Sequence, residues 1–169
     1  MNPRGFTLIE MMMTIAIAAI LVSLAVPSFQ NLIVNNRLTT QANELVADLN
    51  VARSEAIKRG QRVSICPSNN ATSCTATPWT DGRLIFVDGS TAGTVDGTDQ
   101  ILRSQPALTG NLSLASAGFG GAAYIQYVSS GTTGSAGTFT LCRSGFVGRV
   151  ISVSATGRPS TQATGGLCP

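Results

Sequence analysis

Gly5-Phe6-Thr7-Leu8-Ile9-Glu10 stands directly before residues 11–29, nineteen positions without a charged side chain. As an α-helix that run would extend roughly 28 Å at about 1.5 Å per residue, close to the hydrocarbon thickness of a bilayer. A carboxylate at the mouth of such a segment is costly to bury, so Glu10 reads as a functional group needing an opposite charge. Arg4 is the sole charge before Glu10. It favours a cytoplasmic N-terminus with the remainder exported. Pro27 removes a backbone donor and is expected to bend or loosen the helix.

The helical pattern continues. Leu38, Ala42, Leu45, Leu49, Ala52 and Ala56 recur at alternating steps of four and three. That spacing draws one apolar stripe, and its plain meaning is core packing. Asn43, Glu44, Asp48 and Asn50 fall off the stripe. Glu55 and Arg59 stand one turn apart and can pair at the surface for a few tenths of a kcal/mol. Lys58 and Arg59 suit a last turn, and Gly60 suits its cap. One helix over residues 6–59 is expected.

After Gly60 the character changes. Arg62-Val63-Ser64-Ile65-Cys66 alternates as a half-buried strand does, and Leu84-Ile85-Phe86-Val87 is a short apolar run between glycines. Further strands are expected at 100–103, 111–114, 124–128, 138–142 and 149–153, with Gly- and Ser-rich punctuation between them. The fold class is α+β: one long helix, first transmembrane and then amphipathic, packed on an all-β body. The expected organisation is a leader at 1–5, a transmembrane segment at 6–29, an amphipathic helix at 30–60 and an exported body at 61–169.

The words Gly5-Phe6-Thr7-Leu8-Ile9-Glu10 resemble the processing signal of type IV pilins and type II secretion pseudopilins. Ala52-Arg53-Ser54-Glu55-Ala56, the segment Trp79 to Asp88, and Ile101-Leu102-Arg103 resemble the GspH/FimT branch of minor pilins. The resemblance implies that a prepilin peptidase cuts after Gly5 and that Phe6 becomes the N-methylated first residue. It also implies that Glu10 pairs with the terminal amine of a neighbouring subunit. The implied protein is a single-pass inner-membrane subunit with a periplasmic body that can be extruded into a pilus or pseudopilus. Its partners are other subunits, the inner-membrane assembly machinery and the membrane. A FimT-like pilus subunit and a GspH-type pseudopilin of type II secretion are the two versions. A cleaved secretory signal is the rival, with Ser23-Leu24-Ala25 as its cleavage site and Val26 as the first mature residue. The carboxylate of Glu10 is wrong for its positive n-region, and the helix pattern continues past the cut.

Composition excludes several functions. Charged residues are 11% of the chain, which rules out a highly charged disordered polymer. Histidine is absent, removing the commonest general base and metal ligand. No P-loop and no G-x-S-x-G elbow occurs, and Ser54 and Lys58 miss the S-x-x-K spacing. No enzymatic activity and no cofactor are expected. Cys66, Cys74, Cys142 and Cys168 are an even set in a body read as exported, so two disulfides are expected. Spacing suggests neighbours, Cys66 with Cys74 and Cys142 with Cys168, although four cysteines allow three connectivities. Zinc is the rival, weakened by the lack of a C-x-x-C pair. Asp88, Asp96 and Asp99 share a Gly-rich loop where calcium is conceivable, but the EF-hand spacing is missing and turn geometry explains the composition.

From residue 100 onward there are four arginines and no carboxylate side chain. Thr156-Gly157-Arg158, closed by Cys168, resembles the Gly-Arg-x-Arg tail of DNA-binding FimT pilins. The second arginine position is Ser160, so only Arg158 carries over. Arg143, Arg149 and Arg158 are the candidate contacts to the phosphates of double-stranded DNA. The alternative is a set of solubilising surface charges.

Overall fold

The computed structural model describes residues 5–97, 99–121 and 123–169, without the side chains of Leu24 and Pro27. Arg4 and the first four positions of the expected leader lie outside the described residues. Helix α1 spans Leu8–Arg59 and continues through position 27, so Pro27 does not end it. The chain divides into two compact units between Asn36 and Arg37.

In the first unit the apolar side chains of Met11, Ile15, Ile20, Leu21 and Phe29 are all exposed. A helix that shows aliphatic groups on every side has no soluble face to offer water.

The second unit holds residues 37–59 of α1 and eight strands: β1 Val63–Pro67, β2 Arg83–Val87, β3 Ile101–Gln105, β4 Ser113–Gly118, β5 Ile125–Tyr127, β6 Gly137–Cys142, β7 Val147–Val153 and β8 Pro159–Leu167. They form two four-stranded sheets, ordered β3-β2-β1-β5 and β4-β6-β7-β8. Among the described residues every pairing between these strands is antiparallel. The helix stripe supplies the core as its spacing requires: Leu38, Ala42, Leu45, Leu49, Ala52 and Ala56 are all buried. Gly60, at φ 65°, ends the helix in the left-handed region.

Strands β1 and β2 are buried along their whole length. These two strands are covered on both faces, as the apolar run of β2 reads. The alternation of β1 predicts one exposed face, but Ser64 on that face is buried, with its hydroxyl donating to Asp88 Oδ2. Cross-strand pairs Val63–Val87, Ile65–Ile85, Val63–Tyr127 and Ile65–Ile125 share one face with Arg83. On the opposite face Cys66, Leu84 and Phe86 form a small core with Cys74, Val95 and Tyr124. A disulfide joins Cys66 to Cys74 there, and a second joins Cys142 to Cys168. In the second sheet the Phe139 ring meets Trp79 at 4.9 Å and Phe119 at 5.4 Å.

Two further features depart from the sequence expectation. Strand β8 is not foreshadowed, because Pro159 to Leu167 holds no alternating apolar set. It is an edge strand, almost wholly exposed, and its ladder with β7 alone keeps it extended. Asp48 is off the apolar stripe by spacing, yet it is completely buried. It follows Leu45 by three positions and precedes Leu49, so it lies at the margin of the buried face. There Arg83, itself 2% exposed, places Nε 2.6 Å and Nη2 2.5 Å from Asp48 Oδ2. Arg103 Nη1 stands 3.3 Å from Oδ1. The carboxylate is tolerated because guanidinium groups replace its water.

Removing one partner of this pair strands a buried charge. Asp48→Ala is expected to cost about 3–5 kcal/mol, with Asp48→Leu/Arg83→Met recovering much of the loss. Thermal unfolding in detergent measures both, and an unshifted Asp48→Ala transition refutes the role. Tyr127 gives a second test. Its hydroxyl is buried without a hydrogen-bond partner among the described residues, and burial pushes its pKa up to about 12. The unfolded phenol ionises near 10. Between those values the folded state holds the extra proton, so stability present below pH 10 is lost as pH rises through 12. The expected slope is about 1.4 kcal/mol per pH unit, and Tyr127→Phe should flatten it.

Candidate functional site

The N-terminal candidates sit at the start of α1. Thr7 caps the helix: its Oγ1 accepts the Glu10 backbone N–H at 3.3 Å, and its carbonyl accepts that of Met11 at 3.2 Å. Thr7-Leu8-Ile9-Glu10 is thus the sequence form of a capping box, a local reason for both residue types. The cap also fixes Glu10 in the first turn, where the helix dipole favours a negative charge. Its side chain is exposed and forms no ion pair among the described residues. Gly5 and Phe6 precede the helix in exposed chain without regular secondary structure, with Phe6 82% exposed. The arrangement offers an accessible peptide bond and an uncompensated carboxylate beside an uncovered apolar helix.

The three tail arginines do not form one patch. Arg143 and Arg149 lie at the end of the second sheet where β7 begins. Arg143 Nη1 donates to the Gly110 carbonyl at 2.9 Å, and its guanidinium stands 5.6 Å from the centre of the Phe146 ring. Arg149 Nη1 donates to the carbonyls of Val147 and Gly148 at 3.2 and 3.1 Å, and Nη2 donates to Thr39 Oγ1 at 3.3 Å. Arg158 follows the turn at the far end of β7. The four steps from Arg149 to Val153 alone span roughly 13 Å of strand.

Gly157 explains why Arg158 is presented. It has φ 78°, and a Cβ there would stand 2.1 Å from the Gly131 carbonyl oxygen. Only glycine allows this turn to seat itself. Ser154 and Arg158 close the turn through backbone bonds of 3.1 Å and 2.8 Å, the latter from Gly157 to Ser154. The Arg158 side chain is then exposed and lines an open cavity of about 480 Å³ with Asn50, Arg53 and Ser160. Arg53 is held in place by Nε donating to the Gly131 carbonyl at 2.9 Å. Sequence reasoning misses Arg53, which reads as an ordinary helix residue. Its neighbourhood with Arg158 joins segments more than a hundred positions apart.

The acidic loop between β2 and β3 is turned inward on its own backbone and on β1 and β5. Asp88 Oδ2 accepts from Ser64 Oγ at 2.5 Å, the Gly93 amide at 2.7 Å and Gln126 Nε2 at 2.8 Å. Asp99 Oδ1 accepts the Gly89 amide at 3.0 Å, and Asp96 Oδ1 accepts from Ser90 Oγ at 2.6 Å. The Ser90 bond, and after it bonding from Thr91, holds the Asp96 carboxyl below its ordinary pKa. Among the described residues no three carboxylates, cysteines or histidines converge as a metal site.

Known proteins share this fold. The structure is similar to that of the type IV minor pilin FimU of Pseudomonas aeruginosa, with 26% identity and a TM-score of 0.62 over 79% of this chain and 97% of that one. Its fold is also that of the minor pseudopilin EpsH from the type 2 secretion system of Vibrio cholerae, with 16% identity and a TM-score of 0.55 over 77% and 99% of the two chains. A stretch of 95 residues is 28% identical to the type IV major fimbrial protein FimA of Dichelobacter nodosus, 56% of this chain. The chain spans about half the length of that relative, 53%. The prokaryotic N-terminal methylation motif matches residues 1–26. The family model for type II transport protein GspH matches residues 41–157, and the chain belongs to that family.

Proposed function

We propose that the chain is a FimT-like minor pilin, cut after Gly5, methylated on Phe6 and incorporated into a type IV pilus through its apolar helix. One observation carries this reading. An exposed carboxylate without an ion-pair partner, Glu10, is fixed by a capped first turn at the head of an uncovered membrane-length helix. A subunit packed beside others in hydrocarbon would neutralise it with the freed amine of a neighbour's Phe6. The pilin and pseudopilin families supply structural subunits rather than enzymes. In this reading prepilin peptidase processes the chain, the segment at 6–29 crosses the inner membrane once, and the body lies in the periplasm. Other subunits and the assembly machinery are its partners.

Sequencing of the mature N-terminus checks the processing. A start at Phe6 supports the pilin reading, whereas a start at Val26 overturns it in favour of signal cleavage. Glu10→Ala should lose incorporation into filaments by more than about tenfold while the body keeps its fold. Normal incorporation of that variant removes the pairing role.

The GspH family match favours a second reading, a pseudopilin of type II secretion. Deletion of the subunit separates the two: loss of surface pili belongs to the first, and loss of exported enzymes to the second.

DNA uptake is a finer part of the pilus reading. Its support is the exposed Arg158 beside Arg53 on an open rim lined by Asn50 and Ser160. Two phosphate contacts give a log–log salt dependence with a slope near about −1.8. Titration of duplex DNA onto the oxidised full chain in non-ionic detergent measures it. Arg158→Ala should weaken binding and halve the slope. Salt-independent binding, or binding unchanged in that variant, defeats the assignment.

A further inference from the structure

The end of the body through which the chain enters carries a basic cluster distinct from the Arg158 rim. Helix α1 joins this unit at Arg37. Arg37 lies against Gly110, where a Cβ would meet its Nη1 at 2.8 Å. The carbonyl of the same Gly110 accepts from Arg143 Nη1 at 2.9 Å. Two positions along the helix, Thr39 Oγ1 accepts from Arg149 Nη2 at 3.3 Å. Three guanidinium groups from distant parts of the chain therefore share one end of the body. Among the described residues none of them forms an ion pair; those pairs belong to Lys58, Arg59, Arg83 and Arg103. Glu44, the first acidic side chain after Arg37 on the helix, is about 10 Å further on by helical rise.

Exposed apolar side chains stand beside the arginines. Val147 and Leu167 are cross-strand partners at the start of β7 and the end of β8, 38% and 68% exposed. Phe146 packs beside the Arg143 guanidinium. The tip is held in shape by the Cys142–Cys168 disulfide. Two backbone bonds help: Cys168 donates to Phe146 at 2.8 Å, and Gly145 donates to Cys168 at 3.1 Å.

Guanidinium groups interleaved with exposed aliphatic side chains match a bilayer interface that carries anionic phosphates. Duplex DNA would satisfy the arginines but leave Val147 and Leu167 in water. The chain also enters at Arg37 only eight positions after Phe29, the end of the membrane-length run. We propose that this end of the body docks on the anionic headgroup layer of the bilayer that holds the apolar segment. Arg37, Arg143 and Arg149 contact lipid phosphates, and Val147 and Leu167 enter the interface. The docked body is held at the membrane surface until the subunit is drawn into a filament. This inference rests on the membrane-anchored reading proposed above.

Amide hydrogen exchange on the full oxidised chain in lipid nanodiscs tests it. One set of discs is pure phosphatidylcholine and the other contains phosphatidylglycerol. Exchange at residues 143–147 and 166–168 should slow by at least about fivefold in the anionic discs. Arg37→Gln/Arg143→Gln/Arg149→Gln should abolish that difference while exchange in β1 and β2 stays slow. Leu167→Gln, on an exposed edge position, should reduce it without touching the fold. Equal exchange in both lipids overturns the docking even though the chain is anchored. Protection reproduced in phosphatidylcholine discs by inorganic phosphate also overturns it, leaving a simple anion site. A chain that fails to co-elute with the discs overturns both the docking and the membrane-anchored reading.

Discussion

The body depends on one buried charge pair. Asp48 on the helix and Arg83 on β2 are both almost sealed from water, and each is bearable only because the other is there. Apolar contacts between a helix and a sheet are non-directional. The pairing of a carboxylate with a guanidinium is not, since a shifted register would leave two unpaired charges inside. The pair thus sets which residues of the helix face which residues of the first sheet. Arg103 on β3 reaches the second carboxylate oxygen and extends the constraint to the sheet edge.

From that fixed helix the two sheets distribute the remaining charges. The central strands β1 and β2 of the first sheet are closed on both faces and give up their surface to packing and to the Cys66–Cys74 loop. The second sheet keeps exposed edges and ends. Strand β7 separates the arginines into two places, Arg143 and Arg149 at its beginning and Arg158 past its end. A basic C-terminal half therefore becomes two surfaces with different neighbours. One has polar Asn50 and Ser160 beside Arg158, and the other has exposed Val147 and Leu167 beside Arg143 and Arg149. The same residue type can serve different chemistry because its apolar or polar company differs.

Gly157 shows how a sequence motif divides between structure and function. Its conformation and its contact with the Gly131 turn admit no side chain. The glycine is accounted for by the turn, and the arginine after it is what the turn displays. Thr7 and Glu10 divide similarly at the other end of the chain. The threonine caps the helix, and the carboxylate is left without an ion-pair partner among the described residues.

The sequence by itself determined the features governed by local periodicity and local chemistry. Long apolar repetition wrote the helix and its buried stripe, Gly60 wrote its end, and short alternating or apolar segments between Gly- and Ser-rich turns wrote strands β1 to β7 to within a few residues. The N-terminal methylation motif was legible for the same reason, since its residues all lie within one short stretch of the chain. Only the tertiary structure decided the burial of Asp48, because its partner is thirty-five positions away. It alone revealed β8, whose extended form comes from a neighbouring strand rather than from its own residues. It also separated Arg158 from Arg143 and Arg149, and joined Arg53 to the first and Arg37 to the others. Charge neighbourhoods are set by strand order and helix register, and neither is a local property of the chain.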